Sequence, residues 1–530
     1  MVLDILADEA VDRVFGNPGT TELPLVDRLV GDQRFDYVLG LHEGPLVSMA
    51  DGYARATGRT SLVNLHVAAG TANGLIGMLN AMRSRTPMVV LAGQQDSRHL
   101  IQDPMLSGDL VGLATAASKW AVEARRSDEV PALLRRAFRA AATPPQGPVF
   151  VSVPMDLMEE DVADQLVAAT RLEPAQSGFD LEAAAKLLLS GRHPAVVAGD
   201  GVGRGDAVAE LVALAESLGA TVYHAPMNDR LDFPMDHPSY AGMLAPENTR
   251  IRERLDRHDV VLLAGARAFV PHHYSPDAAV GPDTRLVQVD DDPAVIGRNY
   301  PVEIGLLGDL RAVLGALGDA VRATGEDRAP LDVGRVPPEV PPATGVPLPP
   351  RLAASTVAAH LPTGAVLVEE AITTGLLLRE HLTLAEPGSF QHTVGGGLGW
   401  GIGAAVGTAL GRPGRRVVAA LGDGCAMFGV QGLWTAAHEH VPATFVVFSN
   451  GEYRTLKQTL AKMRGDDSAG FVGMDFGRPR VDWPALAESF GVSGVRVADA
   501  DELAERLATS TADQPPQLIE VPIEPFGSEG

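Results

Sequence analysis

The chain has 530 residues, enough for three or four domains of roughly 150 residues each. Apolar residues make up 45% and charged residues 21%, which excludes a largely disordered chain. The formal net charge is −24 and there is no basic patch, so we expect no nucleic acid and no membrane surface as a partner. The single cysteine, Cys425, excludes an intramolecular disulfide, and the N-terminus lacks the pattern of a signal peptide. We therefore expect a cytoplasmic protein of several folded domains.

Short apolar strands alternate with helical patterns along the whole chain, as in parallel βα units. In chain order the predicted strands are Val38–Leu41, Ser61–Leu65, Met88–Ala92, Ala195–Ala198, Val260–Ala264, Leu286–Val289, Ala365–Val368, Val417–Leu421 and Thr444–Phe448. Proline and glycine concentrate at 174–178 and, more densely, at 330–350, where extended linkers are favoured. The sequence therefore predicts three α/β domains with doubly wound parallel sheets, at 1–175, 176–340 and 341–530.

Two neighbouring strands in the last third end in polar residues. Val417–Leu421 is followed by Gly422-Asp423-Gly424, and Thr444–Phe448 is followed closely by Asn450. Because consecutive parallel strands usually pair, Asp423 and Asn450 should emerge together at the carboxyl edge of the sheet, where open α/β sheets bind ligands. A carboxylate and an amide oxygen suit Mg²⁺, and the glycines allow a diphosphate to approach the backbone. The pattern predicts a magnesium and diphosphate site.

A second Gly-Asp-Gly, at Gly199–Gly201, shows why spacing alone does not decide the site. Asn228 follows Asp200 at almost the same distance as Asn450 follows Asp423. However, Asn450 closes a strand directly, whereas a proline-containing segment precedes Asn228, and this favours the second site. Another interpretation reads Gly199–Gly205 as a dinucleotide-binding loop of a non-catalytic protein, although the glycine spacing fits poorly.

With these motifs the chain resembles the thiamine-diphosphate-dependent 2-oxo-acid decarboxylases and carboligases. Other segments resemble this family, and in particular its benzoylformate decarboxylases, in order and spacing: Gly16–Thr20, Leu41–Glu43, Ala50–Arg55, Asn64–His66 and Ala69–Thr71. The resemblance implies pyrimidine-binding, central nucleotide-binding-like and diphosphate-binding domains, in that order. It also implies thiamine diphosphate and Mg²⁺ as cofactors. Because the cofactor would bridge two subunits, a homodimer is the minimum assembly and a tetramer is favoured.

The same resemblance implies roles for single residues. Mg²⁺ would be held by Asp423, Asn450 and the main-chain oxygen of Glu452. The cofactor would contact Glu43, Thr373, Gly396, Leu398, Gly422, Asp423, Gly424 and Asn450. Glu43 would activate the thiamine through its pyrimidine ring. Without the resemblance, Glu43 reads as an acid at the start of a helix, where the helix dipole favours it.

The resemblance also implies the substrate site. His66 and His272 match two active-site histidines that move protons, although a lone histidine is more often structural. The pocket would contain Thr20, Met105, Leu106, His392 and Thr459, with the Thr20 hydroxyl toward the substrate carboxylate. His392 and Thr459 stand where benzoylformate decarboxylases have phenylalanines, which disfavours a phenyl side chain on the substrate.

The implied reaction removes carbon dioxide from a small-molecule 2-oxo acid and releases an aldehyde. The alternative within the family is a carboligase similar to acetolactate synthase. In that reaction the carbon that has lost carbon dioxide bonds to a second carbonyl compound instead of accepting a proton. The same residues would serve both reactions, so the sequence leaves the two open.

Overall fold

Three six-stranded sheets form the framework of the chain. The structure is a computed structural model that describes residues 1–162, 168–170, 181–272, 274–326, 328–466 and 470–527. All strand pairs with an assigned register are parallel, as in β1 with β3 (Arg13–Gly16 and Ser61–Leu65). The predicted α/β class with three parallel sheets is confirmed. Each predicted strand matches an observed one, with ends that differ by at most two residues.

The first sheet has the order β2-β1-β3-β4-β6-β5. Its strands are β1 (Arg13–Gly16), β2 (Asp36–Leu39), β3 (Ser61–Leu65), β4 (Met88–Gln94), β5 (Trp120–Glu123) and β6 (Pro148–Pro154). The helices are α1 (Val2–Asp8), α2 (Leu23–Leu29), α3 (Glu43–Thr57), α4 (Val67–Arg83), α5 (Leu110–Thr115), α6 (Val130–Ala142) and α7 (Met155–Glu159), with short 3₁₀ helices at Thr20–Glu22, Ser97–Gln102 and Ser127–Glu129. The strand order reverses between β1 and β3, so their carboxyl ends border a crevice suited to ligands.

The second sheet has the order β12-β11-β10-β7-β8-β9. Its strands are β7 (Pro194–Ala198), β8 (Thr221–His224), β9 (Tyr240–Met243), β10 (Val260–Ala264), β11 (Arg285–Asp290) and β12 (Ile304–Leu307). The accompanying helices are α8 (Leu181–Ser190), α9 (Asp200–Arg204), α10 (Val208–Leu218), α11 (Asn248–Leu255) and α12 (Leu310–Ala323).

The third sheet has the order β14-β13-β15-β16-β18-β17 and reverses between β13 and β15. Its strands are β13 (Val366–Glu370), β14 (Phe390–His392), β15 (Val417–Gly422), β16 (Ala443–Ser449), β17 (Ser493–Arg496) and β18 (Gln517–Pro522). The helices are α13 (Pro350–Ala359), α14 (Thr374–His381), α15 (Trp400–Gly411), α16 (Asp423–Ala426), α17 (Gly432–His438), α18 (Arg454–Arg464), α19 (Trp483–Ser489) and α20 (Ala500–Ala508). No described helix has both the length and the apolar character needed to cross a membrane.

Tertiary contacts divide the chain into two compact units. The first comprises Met1–Arg171, Val340–Leu378 and Gly395–Gly530, and the second comprises Leu172–Glu339 and Arg379–Val394. Within the second unit, the N–H of His392 donates to the carbonyl of Asp229 at 3.0 Å, which holds the late segment in place. The domain limits at 175 and 340 stay a prediction. The limit near 175 and the linker at 174–178 fall outside the described residues.

Helices α3 and α15 pack backbone to backbone inside the first unit. A Cβ added at Gly52 of α3 would lie 2.2 Å from the carbonyl oxygen of Ala404, and one added at Gly403 of α15 would lie 2.3 Å from that of Pro45. At Gly407 a Cβ would lie 1.8 Å from a backbone oxygen of α3. One continuous apolar core surrounds this crossing and joins residues of the first and third sheets. The start of α3, at Glu43, is therefore held by rigid packing.

Candidate active site

The carboxylate of Glu43 is buried at the first residue of α3. The His42 ring caps this helix by accepting the N–H of Gly44 at 3.0 Å. The side-chain amide of Asn17, just after β1, donates to Oε1 of Glu43 at 3.0 Å, and that of Asn73, on α4, donates to Oε2 at 3.0 Å. One amide on each oxygen fixes the plane of the carboxylate. The structure thus presents a buried, oriented acid of the kind that the resemblance implied.

His66 follows β3 directly and precedes the first residue of α4. Its Nδ1 lies 2.8 Å from Oε2 of Glu22, a fully buried carboxylate, and 3.2 Å from the hydroxyl of Thr21. Because the Thr21 hydroxyl donates to Oε1 of Glu22 at 2.6 Å, the hydrogen-bond pattern assigns the proton on Nδ1 to a bond with Glu22. Nε2 of His66 is therefore the nitrogen available to exchange a proton with a ligand.

Glu22 accepts two backbone bonds as well. The N–H of Gly19 donates to Oε2 at 2.8 Å, and the N–H of Gly93 donates to Oε1 at 2.9 Å. Together with Thr21 and His66, these donors satisfy both oxygens of the buried carboxylate. The arrangement is a rigid support for the His66 ring, which the sequence analysis did not identify.

At the third sheet, β15 ends at Gly422 and α16 begins at Asp423. Oδ2 of Asp423 accepts the N–H groups of Asn450, at 2.9 Å, and Gly451, at 2.7 Å, and Oδ1 accepts that of Gly424 at 2.8 Å. Burial raises the pKa of Asp423 to about 6 despite these three bonds. The predicted meeting of Asp423 with the segment after β16 is thus observed, and no cationic side chain among the described residues pairs with the carboxylate.

The oxygen donors around Asp423 fit Mg²⁺. Oδ1 of Asn450 accepts the N–H of Glu452 at 3.1 Å, and a carbonyl oxygen has a second lone pair that can bind another partner. Carboxylate, amide and main-chain oxygens are hard ligands of the kind Mg²⁺ prefers. Among the described residues no three His, Cys, Asp or Glu side chains form a metal-binding group, so a metal here would depend on the amide and carbonyl oxygens.

The turn Gly395–Gly399, called the glycine turn below, precedes α15. Gly396 is exposed with φ of 78°, and no atom lies within 4 Å of the position that its Cβ would take. The backbone there leaves room for a bound group. Behind the turn, the buried carboxylate of Glu370 accepts the N–H groups of Gly399, Trp400 and Gly401 at 2.9, 3.1 and 2.8 Å. Burial raises the pKa of Glu370 to about 7.

The predicted site residues divide between the two units. The first unit contains Thr20, Glu43, His66, Met105, Leu106, Thr373, Gly396, Leu398, Gly422, Asp423, Gly424, Asn450, Glu452 and Thr459, and the second contains His272 and His392. Thr20 is exposed, and the hydroxyl of its neighbour Thr21, which donates to Glu22, lies 3.2 Å from Nδ1 of His66. Met105 and Leu106 are also exposed, and the Thr459 hydroxyl donates within α18 to the carbonyl of Thr455.

The first Gly-Asp-Gly has different surroundings. Asp200 begins the five-residue helix α9 and accepts the N–H of Asp229 at 2.8 Å. Burial and the nearby Asp229 raise the pKa of Asp200, and burial raises that of Asp232 well above its usual value. β8 ends at His224, well before Asn228, whereas β16 ends at the residue before Asn450. This turn therefore lacks the direct connection between strand end and asparagine that is seen at Asp423 and Asn450.

Some residues of the site were not identified from the sequence. Glu22 stands three residues after Gly19, at the position of a helix-capping acid, which was a usable signal. Asn73 and Asn80 are seven residues apart and so share one face of α4. Glu370 carries no local pattern, since its partners lie about 30 residues further along the chain.

Comparisons with known proteins agree with this geometry. Three family models match: "Thiamine pyrophosphate enzyme, N-terminal TPP binding domain" at residues 1–109, the central domain of the same enzymes at 181–317 and their C-terminal TPP binding domain at 373–521. Benzoylformate decarboxylase from Pseudomonas aeruginosa is 36% identical over 98% of this chain and 97% of its own. Acetolactate synthase large subunit from Haemophilus influenzae is 26% identical over 96% of this chain and 91% of its own.

Solved structures are similar over the same length. The thiamine diphosphate-dependent 4-hydroxybenzoylformate decarboxylase of Rhodococcus jostii has a TM-score of 0.89 at 34% identity and covers 98% of both chains. Benzoylformate decarboxylase from Polynucleobacter necessarius has a TM-score of 0.90 at 30% identity and covers 98% of this chain and 97% of its own. Fold, site geometry and full-length similarity lead to one conclusion: the chain belongs to the thiamine pyrophosphate (thiamine diphosphate) enzymes and is similar to benzoylformate decarboxylase.

Proposed function

We propose that the protein is a thiamine-diphosphate- and Mg²⁺-dependent decarboxylase that converts a 2-oxo acid into an aldehyde and carbon dioxide. The observation that carries the proposal is His66, whose Nδ1 is fixed by the buried Glu22, in the same unit as the oriented acid Glu43. Non-oxidative decarboxylation ends with delivery of a proton to carbon, and a histidine with one fixed and one available nitrogen suits that step. The decarboxylase names of the relatives support the proposal.

The donors present fit the proposed cofactors. Asp423, Asn450 and the carbonyl of Glu452 would hold Mg²⁺, while Thr373, Gly422 and Gly424 would contact the diphosphate. Gly396, Leu398 and Glu43 would contact the thiamine. When bound, thiamine diphosphate supplies a carbon nucleophile and accepts the electrons released with carbon dioxide.

The chain's own residues would then orient the substrate and move protons. The hydroxyl of Thr20 would donate a hydrogen bond to the carboxylate of the 2-oxo acid. Glu43 would exchange a proton with the pyrimidine ring, and Asn17 and Asn73 hold it for that exchange. Nε2 of His66 would deliver a proton to the reacting carbon, and His272 would be the second proton carrier.

We also infer a homo-oligomer, at minimum a dimer and as the favoured state a tetramer. Glu43 and Asp423 bind separate sets of partners and no hydrogen bond joins them within the described chain. Large apolar side chains lie exposed beside both, between 41 and 55% accessible: Leu41, Ile76, Leu79, Met427 and Phe428. A second copy that covers these side chains would bring the two halves of a site together.

For the substrate we propose a 2-oxo acid whose side chain is not a phenyl ring. Met105 and Leu106 would supply apolar contacts, whereas His392 and Thr459 would place an imidazole and a hydroxyl where a ring prefers apolar walls. A side chain that is partly polar would satisfy such a pocket better.

The test is turnover of a panel of aliphatic, polar and aromatic 2-oxo acids, with and without thiamine diphosphate and Mg²⁺, while carbon dioxide, aldehydes and ketols are measured. We expect carbon dioxide release that requires both cofactors, with an aldehyde as the product. Binding of thiamine diphosphate without carbon dioxide release from any acid would contradict the decarboxylase, and absence of binding would contradict the cofactor assignment.

A carboligase is the second candidate because a relative of nearly the same length is an acetolactate synthase large subunit. It would release carbon dioxide from the same acids but yield ketols in place of aldehydes. A dinucleotide-binding role for Gly199–Gly205 is disfavoured because the glycine spacing fits such a loop poorly.

A further inference from the structure

The glycine turn is held by a side chain from the other end of the chain. Asn80 lies on α4 and is buried, with 1% of its surface accessible. Its Nδ2 donates to the carbonyl of Gly397 at 2.9 Å, and its Oδ1 accepts the N–H of the same residue at 3.0 Å. The amide therefore pairs with both polar groups of one residue, as a neighbouring strand would. Such a pair fixes the position and the orientation of the peptide at once.

At Gly395 and Gly397 the turn approaches α4 too closely for an added side chain. A Cβ at Gly395 would lie 2.2 Å from Oδ1 of Asn80 and 2.5 Å from its Cα, and one at Gly397 would lie 2.5 Å from Cδ1 of Ile76. Contact with the backbone of α4 thus requires glycine at Gly395, and a side chain at Gly397 would displace Ile76. Between them, Gly396 faces open space with positive φ. The glycine turn is therefore fixed against α4 and is open at Gly396.

The helix that carries Asn80 also supports the proposed acid. His66 precedes α4, Asn73 on α4 binds Glu43, and Asn80 binds the glycine turn. The seven-residue spacing puts Asn73 and Asn80 on one face of α4, about 10 Å apart along the helix axis. At the opposite side of the turn, Glu370 binds the N–H groups that begin α15.

We propose that Asn80 is a positioning residue for the cofactor: it sets the glycine turn so that Gly396 and Leu398 support bound thiamine diphosphate. The inference rests on the proposed function, in which those two residues contact the cofactor, and it extends that site to a residue on the opposite part of the chain. Asn80 itself would not touch the cofactor or the substrate.

The test measures binding of thiamine diphosphate to Mg²⁺-loaded protein by calorimetry and by quenching of tryptophan fluorescence, since Trp400 follows the turn directly. The variants are Asn80→Ala, which removes both bonds, Asn80→Asp, which keeps the acceptor for the Gly397 N–H, and Gly397→Ala, which pushes the turn away with Asn80 intact. Thr435→Val is the matched control, because the buried Thr435 hydroxyl also joins distant parts of this unit, to the carbonyl of Leu39 at 2.9 Å.

We expect Asn80→Ala to weaken thiamine diphosphate binding by about 10- to 100-fold, as the loss of two hydrogen bonds predicts. Asn80→Asp should also weaken binding, because it places a carboxylate oxygen against the carbonyl of Gly397. Thr435→Val should lower the urea midpoint without changing binding. At saturating cofactor, KM for the 2-oxo acid should be unchanged in all variants.

Unchanged binding in Asn80→Ala and Gly397→Ala would overturn the proposal, as would an equal loss in Thr435→Val, which would mark Asn80 as a general packing residue. If Asn80→Ala does not fold, Asn80→Asp and Gly397→Ala decide by the same criterion. Failure of the wild type to bind thiamine diphosphate would instead overturn the proposed function on which the inference rests.

Discussion

Replacing Glu22 with glutamine tests whether the buried carboxylate governs His66. Both oxygens of Glu22 accept two bonds each: one pair from Thr21 and Gly93, the other from Gly19 and His66. A glutamine keeps the shape but turns one oxygen into an NH₂ group. Whichever way the amide is oriented, this NH₂ group faces a backbone N–H, either that of Gly93 or that of Gly19.

The size of the effect follows from that conflict. One buried N–H loses its acceptor, which costs about 1–3 kcal/mol of stability. The carboxylate oxygen that accepts the Nδ1–H of His66 can also be replaced by the NH₂ group, so the ring loses the bond that orients it. Loss of a positioned proton-transfer group reduces turnover by roughly 100-fold or more, and we expect Glu22→Gln to reduce kcat by about that factor.

The assay is kcat for the preferred 2-oxo acid at saturating thiamine diphosphate and Mg²⁺, together with thermal unfolding. Glu520→Gln is the control, because Glu520 is equally buried in β18 and accepts bonds from Arg480 and Arg496 at 2.8 Å each, with no contact to His66. It should lose stability and keep its turnover. A folded Glu22→Gln enzyme with wild-type kcat would refute the role of Glu22.

Three further outcomes are expected. Asp423→Ala should abolish Mg²⁺-dependent thiamine diphosphate binding in calorimetry, whereas Asp200→Ala should leave it intact; the reverse result would refute the choice of site. Glu43→Gln should still bind the cofactor but lose roughly 100-fold or more in turnover, and retained activity would contradict its acid–base role. Burial raises the pKa of Glu370 from 4.5 to about 7, so the folded chain keeps a proton that the unfolded chain has lost. The free energy of unfolding should therefore fall by up to about 3 kcal/mol from pH 4.5 to 8. Chemical denaturation at several pH values should show that the Glu370→Gln variant lacks this part of the pH dependence.

The strands were predictable because their signal is local. A short run of Val, Leu and Ala that ends in glycine marks a buried parallel strand wherever it occurs, as at Val417–Leu421, where the strand is observed at Val417–Gly422. Asp423 was predicted to lie near Asn450 for the same reason, since consecutive parallel strands place their ends together.

Supports that span the chain were not predictable in this way. Asn80 and Gly397 are 317 residues apart, and nothing near either one indicates the other. The segment Arg379–Val394 belongs to the second unit although it follows β13 of the third sheet. A division of the chain into three continuous domains cannot describe such a segment. Such pairings depend on the folded topology and leave no period in the sequence.

The crossing of α3 and α15 has a consequence for attempts to change the substrate. At Gly52 and Gly407 even a methyl group would force the two helices apart and carry Glu43 with them. A mutant library that includes these glycines would lose most of its members to inactive protein, whatever else it varied. A library restricted to Met105, Leu106 and Thr459, two of them exposed and none of them at the crossing, would vary the proposed substrate pocket while the proposed acid Glu43 stays in place.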